Sequence, residues 1–195
     1  MKNTDLARKI AGDNSKLGRS KADFYPTPIS ATTALLNNEM FVGKIWEPAC
    51  GKGDISKVFL LNGFEVYSTD LNDYGFGTPN MDYLDTEGMF GCSHAKVDNI
   101  ITNPPFNLAL DFVLQAKIDA KHKIAMFLKT SFLEGVSRHN MFQDKKFPLK
   151  CIYQFSRRVN FGIYNGTHKN GGMIPFAWFV WDMQYKGDPF IKWIK

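Results

Sequence analysis

Short apolar runs alternate with amphipathic stretches along most of the chain. Strands are predicted at 44–47, 64–69, 97–102, 124–128, 151–155 and 175–181. Apolar residues recur at helical spacing at 30–38, 54–61, 108–120 and 138–142, which predicts four helices. Ser30 and Asp54 are the expected N-caps of the first two helices. The alternation is typical of an α/β domain with a mostly parallel sheet, and the final strand is expected to enter antiparallel as a hairpin.

Two polar segments stand outside this pattern. Residues 1–22 are expected to form a basic mobile arm ahead of a single domain at 23–195. Residues 157–172 form a long polar loop, and loops of that length are usually functional or disordered. No apolar run is long enough to span a membrane and no secretion signal opens the chain, so a soluble cytoplasmic protein is expected.

The net charge of +5 conceals a strong asymmetry along the chain. Residues 1–21 carry six Lys/Arg and two Asp, residues 22–120 carry five Lys/Arg and thirteen Asp/Glu, and residues 121–195 carry thirteen Lys/Arg and four Asp/Glu. An acidic middle between basic ends favours a polyanionic partner such as nucleic acid. Cys50, Cys92 and Cys151 lack C-x-x-C spacing, which predicts reduced thiols and no metal site.

A glycine-rich turn, Glu47-Pro48-Ala49-Cys50-Gly51-Lys52-Gly53-Asp54, follows the first predicted strand. Gly51 and Gly53 let the backbone turn sharply and approach a ligand. The turn lacks the spacing of a phosphate loop and the third glycine of a dinucleotide fingerprint. The Glu47 carboxylate suits a ligand with an ammonium or sulfonium charge, although a plain tight turn is the alternative.

Asp70 ends the second predicted strand, nineteen residues after Gly51. An acidic residue at this distance is placed to hold a ribose hydroxyl pair, and capping of the next turn is the alternative. Asp82 is expected at the end of a third strand, within reach of an adenine amino group. Asp73 or Asp85 would serve as well.

Asn103-Pro104-Pro105-Phe106 ends the fourth predicted strand. Two prolines fix the backbone so that the Asn103 side-chain oxygen and the Pro104 carbonyl point at one spot, and Phe106 presents a flat ring beside them. Two acceptors and a stacking ring suit a planar group that carries an NH₂.

Together these motifs resemble the adenine-specific (N6) DNA methyltransferases that use S-adenosylmethionine, over residues 23 to about 182. The segment 23–28, DFYPTP, is similar to the motif that closes over the methionine end of the cofactor. The turn at 47–53 resembles the family's D-P-A-C-G-x-G with Glu in place of Asp, and 103–106 matches its catalytic tetrapeptide, in which the aromatic is more often Tyr. The chain leaves no room for a recognition domain, so we expect a small phage-like or restriction-modification member with relaxed sequence specificity.

The resemblance implies a Rossmann-like class I methyltransferase with a seven-stranded, mostly parallel sheet and an antiparallel last strand. The implied cofactor is S-adenosylmethionine, and no metal is required. The implied catalytic residues are Asn103, Pro104, Pro105 and Phe106. The implied cofactor-binding residues are Tyr25, Thr27, Pro28, Glu47, Pro48, Ala49, Gly51, Gly53, Asp70, Leu71, Asp82, Tyr83 and Asn103.

The implied partner is DNA, whose target adenine leaves the stack and lies on Phe106 while Asn103 and Pro104 accept its amino hydrogens. Basic loop residues are expected on the same side of the sheet as Asn103. The candidate nucleic-acid contacts are Lys129, Arg138, His139, Arg157, Arg158, Tyr164, Asn165, His168 and Lys169. The sequence leaves the oligomeric state open between a monomer and a weak dimer.

Other substrates fit the same tetrapeptide. Enzymes that methylate adenine or guanine in RNA, or a protein glutamine amide, also present a planar amine or amide, and a catalytically silent nucleic-acid-binding module is a further alternative. Methylation of cytosine at carbon 5 is disfavoured, because that reaction needs a Pro-Cys pair and none of the three cysteines follows a proline.

Overall fold

A seven-stranded sheet with helices packed on it organises the chain. The computed structural model describes residues 25–85, 96–160 and 174–195, and the backbone of 163–164 and 167–168. The helices are α1 (Ile29–Leu36), α2 (Asp54–Leu61), α3 (Ala109–Asp119) and α4 (Val136–Phe142). The strands are β1 (Ile45–Glu47), β2 (Val66–Ser68), β3 (Val97–Thr102), β4 (Ala120–Lys129), β5 (Leu149–Phe155), β6 (Ile163–Tyr164), β7 (Thr167–His168), β8 (Phe176–Asp182) and β9 (Phe190–Ile194).

The strand order across the sheet is β2-β1-β3-β4-β8-β5-β9. Six strands run in one direction, and β8 is antiparallel to its neighbours β4 and β5. The predicted seven-stranded, mostly parallel α/β fold is therefore confirmed. The chain moves outward from β1 to β2 and then returns to place β3 on the other side of β1, which creates a crevice at the carboxyl ends of β1 and β3.

The core lies on both faces of the sheet. Along β4, Ile124, Met126 and Leu128 face one apolar cluster, and Ala125 and Phe127 face the other. All seven residues of β8 are buried as well. Burial on both faces explains why these central strands are continuous apolar runs instead of alternating ones.

The structure corrects two predicted strands. Among the described residues no strand lies between β2 and β3, and only an isolated bridge joins Thr69 to Thr78. The expected third strand before Asp82 is therefore wrong, since the segment is rich in Gly, Asn, Asp and Pro, which disfavour a ladder. The strand predicted at 175–181 is β8 and is antiparallel as expected, but it is not the last strand, because β9 follows it and pairs parallel to β5.

The helix caps also differ from the prediction. Pro28 is the N-cap of α1 and Gly53 that of α2, and neither makes a side-chain capping hydrogen bond. Ser30 and Asp54 lie inside the helices instead, because a proline with a preset backbone angle and a glycine in a left-handed conformation turn the chain into each helix.

Several predictions fall partly or wholly outside the described residues. The expected arm at 1–22 and Cys92 are among them, as are Asn165 and Lys169 of the polar loop. Where that loop is described, β6 and β7 pair as a short antiparallel hairpin. None of the described helices has the length and apolar character needed to cross a membrane.

Candidate active site

A cavity of about 650 Å³ opens where β1, β2 and β3 end. All of the predicted catalytic and cofactor-binding residues line this cavity, except Pro28 and Gly53. The predicted residues on its wall are Tyr25, Thr27, Glu47, Pro48, Ala49, Gly51, Asp70, Leu71, Asp82, Tyr83, Asn103, Pro104, Pro105 and Phe106.

The turn between β1 and α2 is tied to the end of β2. Gly51 and Gly53 both have positive φ angles, of 53° and 78°. The Gly51 amide donates to Asp70 Oδ2 at 2.8 Å. A Cβ atom at Gly53 would lie 2.4 Å from the ring of Phe76. Gly53 therefore allows close packing behind the turn, whereas Gly51 lies at the cavity wall.

Asp70 is buried at the end of β2 with both carboxylate oxygens fixed by backbone amides. Oδ2 accepts from Gly51, and Oδ1 accepts from the Asn72 amide at 2.8 Å. Each oxygen of an ionised carboxylate accepts a second hydrogen bond. The side chain lines the cavity, so it is placed to accept from a pair of ligand hydroxyls there.

Glu47 is buried at the end of β1 and holds the first turn of α2. Its Oε2 accepts from the Ser56 amide at 2.8 Å and from the Ser56 hydroxyl, which in turn lies 2.6 Å from the Ser68 hydroxyl. Burial raises the pKa of Glu47 well above its ordinary value, against the hydrogen bonds from Ser56, and nearby Asp54 and Asp70 raise it further. Glu47 also lines the cavity, so its contact with a cationic ligand stays a prediction beside this structural role.

The amide nitrogen of the Asn103 side chain is hydrogen-bonded, whereas no described residue donates to its amide oxygen. Its Nδ2 donates to the Tyr25 carbonyl and to Thr27 Oγ1, each at 3.0 Å. Its Oδ1 is buried and has no hydrogen-bond partner among the residues that the structure describes. Because the Tyr25 carbonyl only accepts, the amide nitrogen must face it and the oxygen must face away. Buried acceptors are rarely left unpaired, which points to a donor supplied by a ligand.

Phe106 lies beside this acceptor, at the start of a 3₁₀ turn that leads into α3. Its ring stacks on Tyr25 with centroids 5.2 Å apart and an interplanar angle of 28°. Lys129 Nζ lies 4.1 Å from the centroid of the same ring. The ring lines the cavity, and a planar ligand stacked on it would compete with Tyr25 and Lys129.

The predicted nucleic-acid contacts are only partly gathered at this edge. Lys129 ends β4, and the exposed Arg157 and Arg158 follow β5, so they lie at the same edge as Asn103 because the strands are parallel. Arg138 is half-buried, its guanidinium over Phe132 at 4.9 Å and hydrogen-bonded to the Glu134 carbonyl. His139 is exposed on α4, and Tyr164 and His168 lie in the β6–β7 hairpin.

Sequence reasoning missed part of the cavity wall. The additional residues are Pro26, Cys50, Asp54, Ile55, Asn72, Tyr74, Met81, Asn107, Leu108 and Phe112. Asn107 directly follows the tetrapeptide at 103–106, and Tyr74 lies four positions after Asp70. Closeness in the sequence to a predicted site residue could therefore have identified these two. Nothing in the sequence indicates that Phe112 lines the cavity, because an apolar residue in a predicted helix is expected in the hydrophobic core.

The two described thiols are not reactive, and the described acidic groups form no metal site. Burial raises the pKa of Cys50 to about 12 and that of Cys151 to about 11, so both free thiols stay protonated. Among residues 25–85, 96–160 and 174–195, no three His, Cys, Asp or Glu side chains converge as a metal site requires.

Comparison with known proteins finds relatives by structure alone. No protein-family model matches the chain, and no curated protein is similar in sequence. A modification subunit assigned to a type I restriction enzyme of Vibrio vulnificus shares 14% identity over 97% of this chain and 51% of that one, with a TM-score of 0.55. The chain therefore spans about half the length of that subunit.

Two further solved structures match over nearly their whole length. A protein assigned as an RNA methyltransferase from Pyrococcus horikoshii is 16% identical over 93% of this chain and 99% of that one, with a TM-score of 0.58. Magnesium protoporphyrin IX methyltransferase from Synechocystis, solved with bound S-adenosylmethionine, is 12% identical over 91% and 97%, with a TM-score of 0.52. At these identities the likeness establishes the fold, which is that of the class I Rossmann-like methyltransferases.

Proposed function

We propose that this protein transfers a methyl group from S-adenosylmethionine to the exocyclic amine of an adenine flipped out of DNA. The observation that carries the proposal is Asn103, whose buried Oδ1 receives no hydrogen bond from the described part of the chain while its Nδ2 donates two. Pro104 supplies a neighbouring backbone carbonyl, and a carbonyl is an acceptor. Two acceptors at one spot suit the two hydrogens of an NH₂ group.

The cavity fits the cofactor. Its volume of about 650 Å³ is within the range of small-molecule sites. Asp70 is placed for the ribose hydroxyls, and Tyr25 and Thr27 lie on the wall that adjoins Asn103. When bound, S-adenosylmethionine supplies a methyl group on a positively charged sulfur. Likeness to methyltransferases, one of them with this cofactor bound, supports the assignment.

The residues of this chain act by orientation. Asn103 and Pro104 accept the two amino hydrogens, which turns the lone pair of the nitrogen toward the methyl group. Phe106 holds the plane of the base. With S-adenosylmethionine bound, a nitrogen–carbon bond would form as the carbon–sulfur bond breaks, the bonding pair would pass to the sulfur of the departing S-adenosylhomocysteine, and the methylated nitrogen would release one proton to water. Placement of the two reactants would then supply much of the rate, and no protein nucleophile is needed.

DNA is favoured as the substrate by charge at the same edge of the sheet. Lys129 lies over Phe106, and Arg157 and Arg158 follow β5 at the same edge of the sheet as Asn103. All three belong to the C-terminal third, which carries thirteen Lys/Arg and four Asp/Glu. The likeness to a restriction-enzyme modification subunit agrees with this choice. RNA is the second candidate, favoured by the likeness to a protein assigned as an RNA methyltransferase.

The test uses S-adenosylmethionine with a labelled methyl group and three acceptors: unmethylated DNA, RNA and mixed protein. Label is expected in DNA, on adenine N6, and sequencing of modified adenines then gives the flanking bases. Label in RNA or protein with none in DNA would refute the proposed substrate.

Truncation of the acceptor should separate chemistry from cofactor binding. Asn103→Ala is expected to lower the transfer rate by at least about a hundredfold, since a preorganised polar group at a reacting centre is typically worth that much. Affinity for S-adenosylmethionine, measured by calorimetry, should stay within about twofold. Asn37→Ala, an exposed asparagine after α1, is the matched control and should behave as wild type. Transfer by Asn103→Ala at the wild-type rate would remove Asn103 from catalysis.

A further inference from the structure

We infer that Thr27 is a positioning residue for methyl transfer: the Tyr25 carbonyl sets the orientation of the Asn103 carboxamide, with the oxygen toward the methyl acceptor, and the Thr27 hydroxyl, as the second acceptor for Nδ2, holds the carboxamide there. The inference rests on the proposed function and adds a residue to it. Thr27 and Asn103 are 76 positions apart in the chain, and the fold brings Oγ1 to 3.0 Å from Nδ2.

An asparagine side chain has two orientations that differ by a half-turn, and only one accepts from an amine. In the observed orientation Nδ2 donates to the Tyr25 carbonyl and to Thr27 Oγ1, which satisfies both of its hydrogens. A half-turn would bring Oδ1 against the Tyr25 carbonyl, two acceptors in contact, and would aim the NH₂ at the substrate amine. The segment 25–27 thereby selects the productive orientation.

The Thr27 hydroxyl is not explained by capping of α1, the helix that follows it. Pro28 is the N-cap of α1 and makes no side-chain capping hydrogen bond. Thr27 is 5% exposed, and its Oγ1 lies 3.0 Å from Asn103 Nδ2. A threonine whose only task was to fill space would be replaced by valine without loss.

The support beneath Thr27 is rigid. The Ala31 amide donates to the Pro28 carbonyl at 2.9 Å, and the Ala31 carbonyl accepts from Trp178 Nε1 at 2.8 Å. Trp178 lies in β8 and is fully buried. The segment that orients Asn103 is therefore anchored to the centre of the sheet, as a group that must hold an angle requires.

The experiment compares wild type with Thr27→Val, which keeps the shape without the hydroxyl, and Thr27→Ser, which keeps the hydroxyl. Methyl transfer is measured at saturating S-adenosylmethionine, cofactor affinity by calorimetry and folding by thermal denaturation. Thr27→Val loses the hydrogen bond between Thr27 Oγ1 and Asn103 Nδ2, which predicts a kcat about tenfold lower than that of wild type. Its cofactor affinity should stay within about twofold, and Thr27→Ser should stay within about twofold of the wild-type kcat.

Three results would overturn the inference. Thr27→Val could transfer at the wild-type rate, both variants could lose the same activity, or the loss in Thr27→Val could follow weakened cofactor binding. If Thr27→Val does not fold, Thr27→Ala takes its place against Thr27→Ser, because it also lacks the hydroxyl.

The wild-type assay distinguishes failure of this inference from failure of the proposed function. Wild-type protein that methylates none of DNA, RNA and protein would refute both. Wild-type protein that methylates RNA or protein would refute the DNA substrate alone, and the Thr27 variants are then compared on that acceptor. Active wild type with an unaffected Thr27→Val refutes the role of Thr27 only.

Discussion

Glu47 is a carboxyl group held away from water at the edge of the cavity, where most carboxylates would be exposed. It is 2% exposed and accepts a hydrogen bond from the Ser56 amide of α2. Burial raises the pKa of Glu47 well above its ordinary value of 4.5, because the buried site penalises the charged form. A raised folded-state pKa gives stability that is complete at low pH and is lost as the pH rises through it.

Glu47→Gln should therefore stabilise the protein at alkaline pH. The neutral amide keeps an oxygen to accept from Ser56 and removes the cost of a buried charge. We expect the variant to melt above wild type at pH 8 and the difference to shrink toward pH 5, as measured by calorimetric melting across that range.

Glu65→Gln is the control for this prediction. Glu65 pairs with Lys44 on the surface, where both side chains are more than half exposed. Its substitution should change the melting temperature little at any pH. A Glu47→Gln variant that melts below wild type at pH 8 would show that the ionised carboxylate stabilises the fold.

The sequence predicts which polar residues line the cavity, but it does not predict the contacts that support them. Asn103 and Asp70 are predictable as cavity residues because each follows a strand, where the sheet gathers polar groups. The partnership of Glu47 with Ser56 depends on the rotation of α2 about its axis, and that of Asn103 with Thr27 joins distant segments. No spacing in the chain encodes either contact.

Two elements that are bounded by glycine or proline have the predicted first and last residues. Other elements were missed or given different bounds. The bounds of α2 and β3 match the prediction, since glycine precedes one and Asn-Pro-Pro follows the other. β9 was missed because Phe190, Ile191 and Trp193 are exposed on an edge strand with no clean alternation. β4 begins at Ala120, directly after α3, so no turn signal marked its start.

The turn into α2 offers an element-scale prediction. Gly53→Ala places a side chain at φ +78° and 2.4 Å from Phe76, whereas Gly63→Ala at φ +83° meets nothing within 4 Å. The left-handed angle costs either variant roughly 1–2 kcal/mol. Overpacking against Phe76 adds about 1–3 kcal/mol to Gly53→Ala alone.

Denaturant unfolding of both variants measures this difference. Gly53→Ala should lose clearly more free energy of unfolding than Gly63→Ala, which is the matched control for backbone strain. Equal losses would show that Phe76 moves aside at little cost, and that the close contact does not constrain the turn.

At the scale of the whole molecule, the two edges of the sheet carry different tasks. The cavity and its polar residues lie where β1, β2 and β3 end. At the opposite edge Glu39 is 4% exposed and accepts from Lys150 at 2.9 Å, from Tyr153 at 2.7 Å and from Lys123. This ionic network joins the chain after α1 to β4 and β5, far from the proposed chemistry.

Glu39→Gln should destabilise the protein without a defect in transfer by the molecules that remain folded. Burial alone would raise the pKa of Glu39, but hydrogen bonds from Lys123, Lys150 and Tyr153 outweigh it, so the pKa lies below its ordinary value of 4.5. Removing one charge of a buried pair costs about 3–5 kcal/mol, and less here because the lysine side chains keep some exposure.

The pH dependence of this loss has the opposite sign to that at Glu47. A lowered folded-state pKa gives stability that is complete above pH 4.5 and is lost as the pH falls through the folded-state value. The difference in unfolding free energy between wild type and Glu39→Gln should therefore be full at pH 7 and shrink below about pH 4.5. Glu65→Gln again controls for an exposed pair. A difference that stays constant down to pH 3 would mean that the ionised Glu39 does not contribute to the stability of this edge.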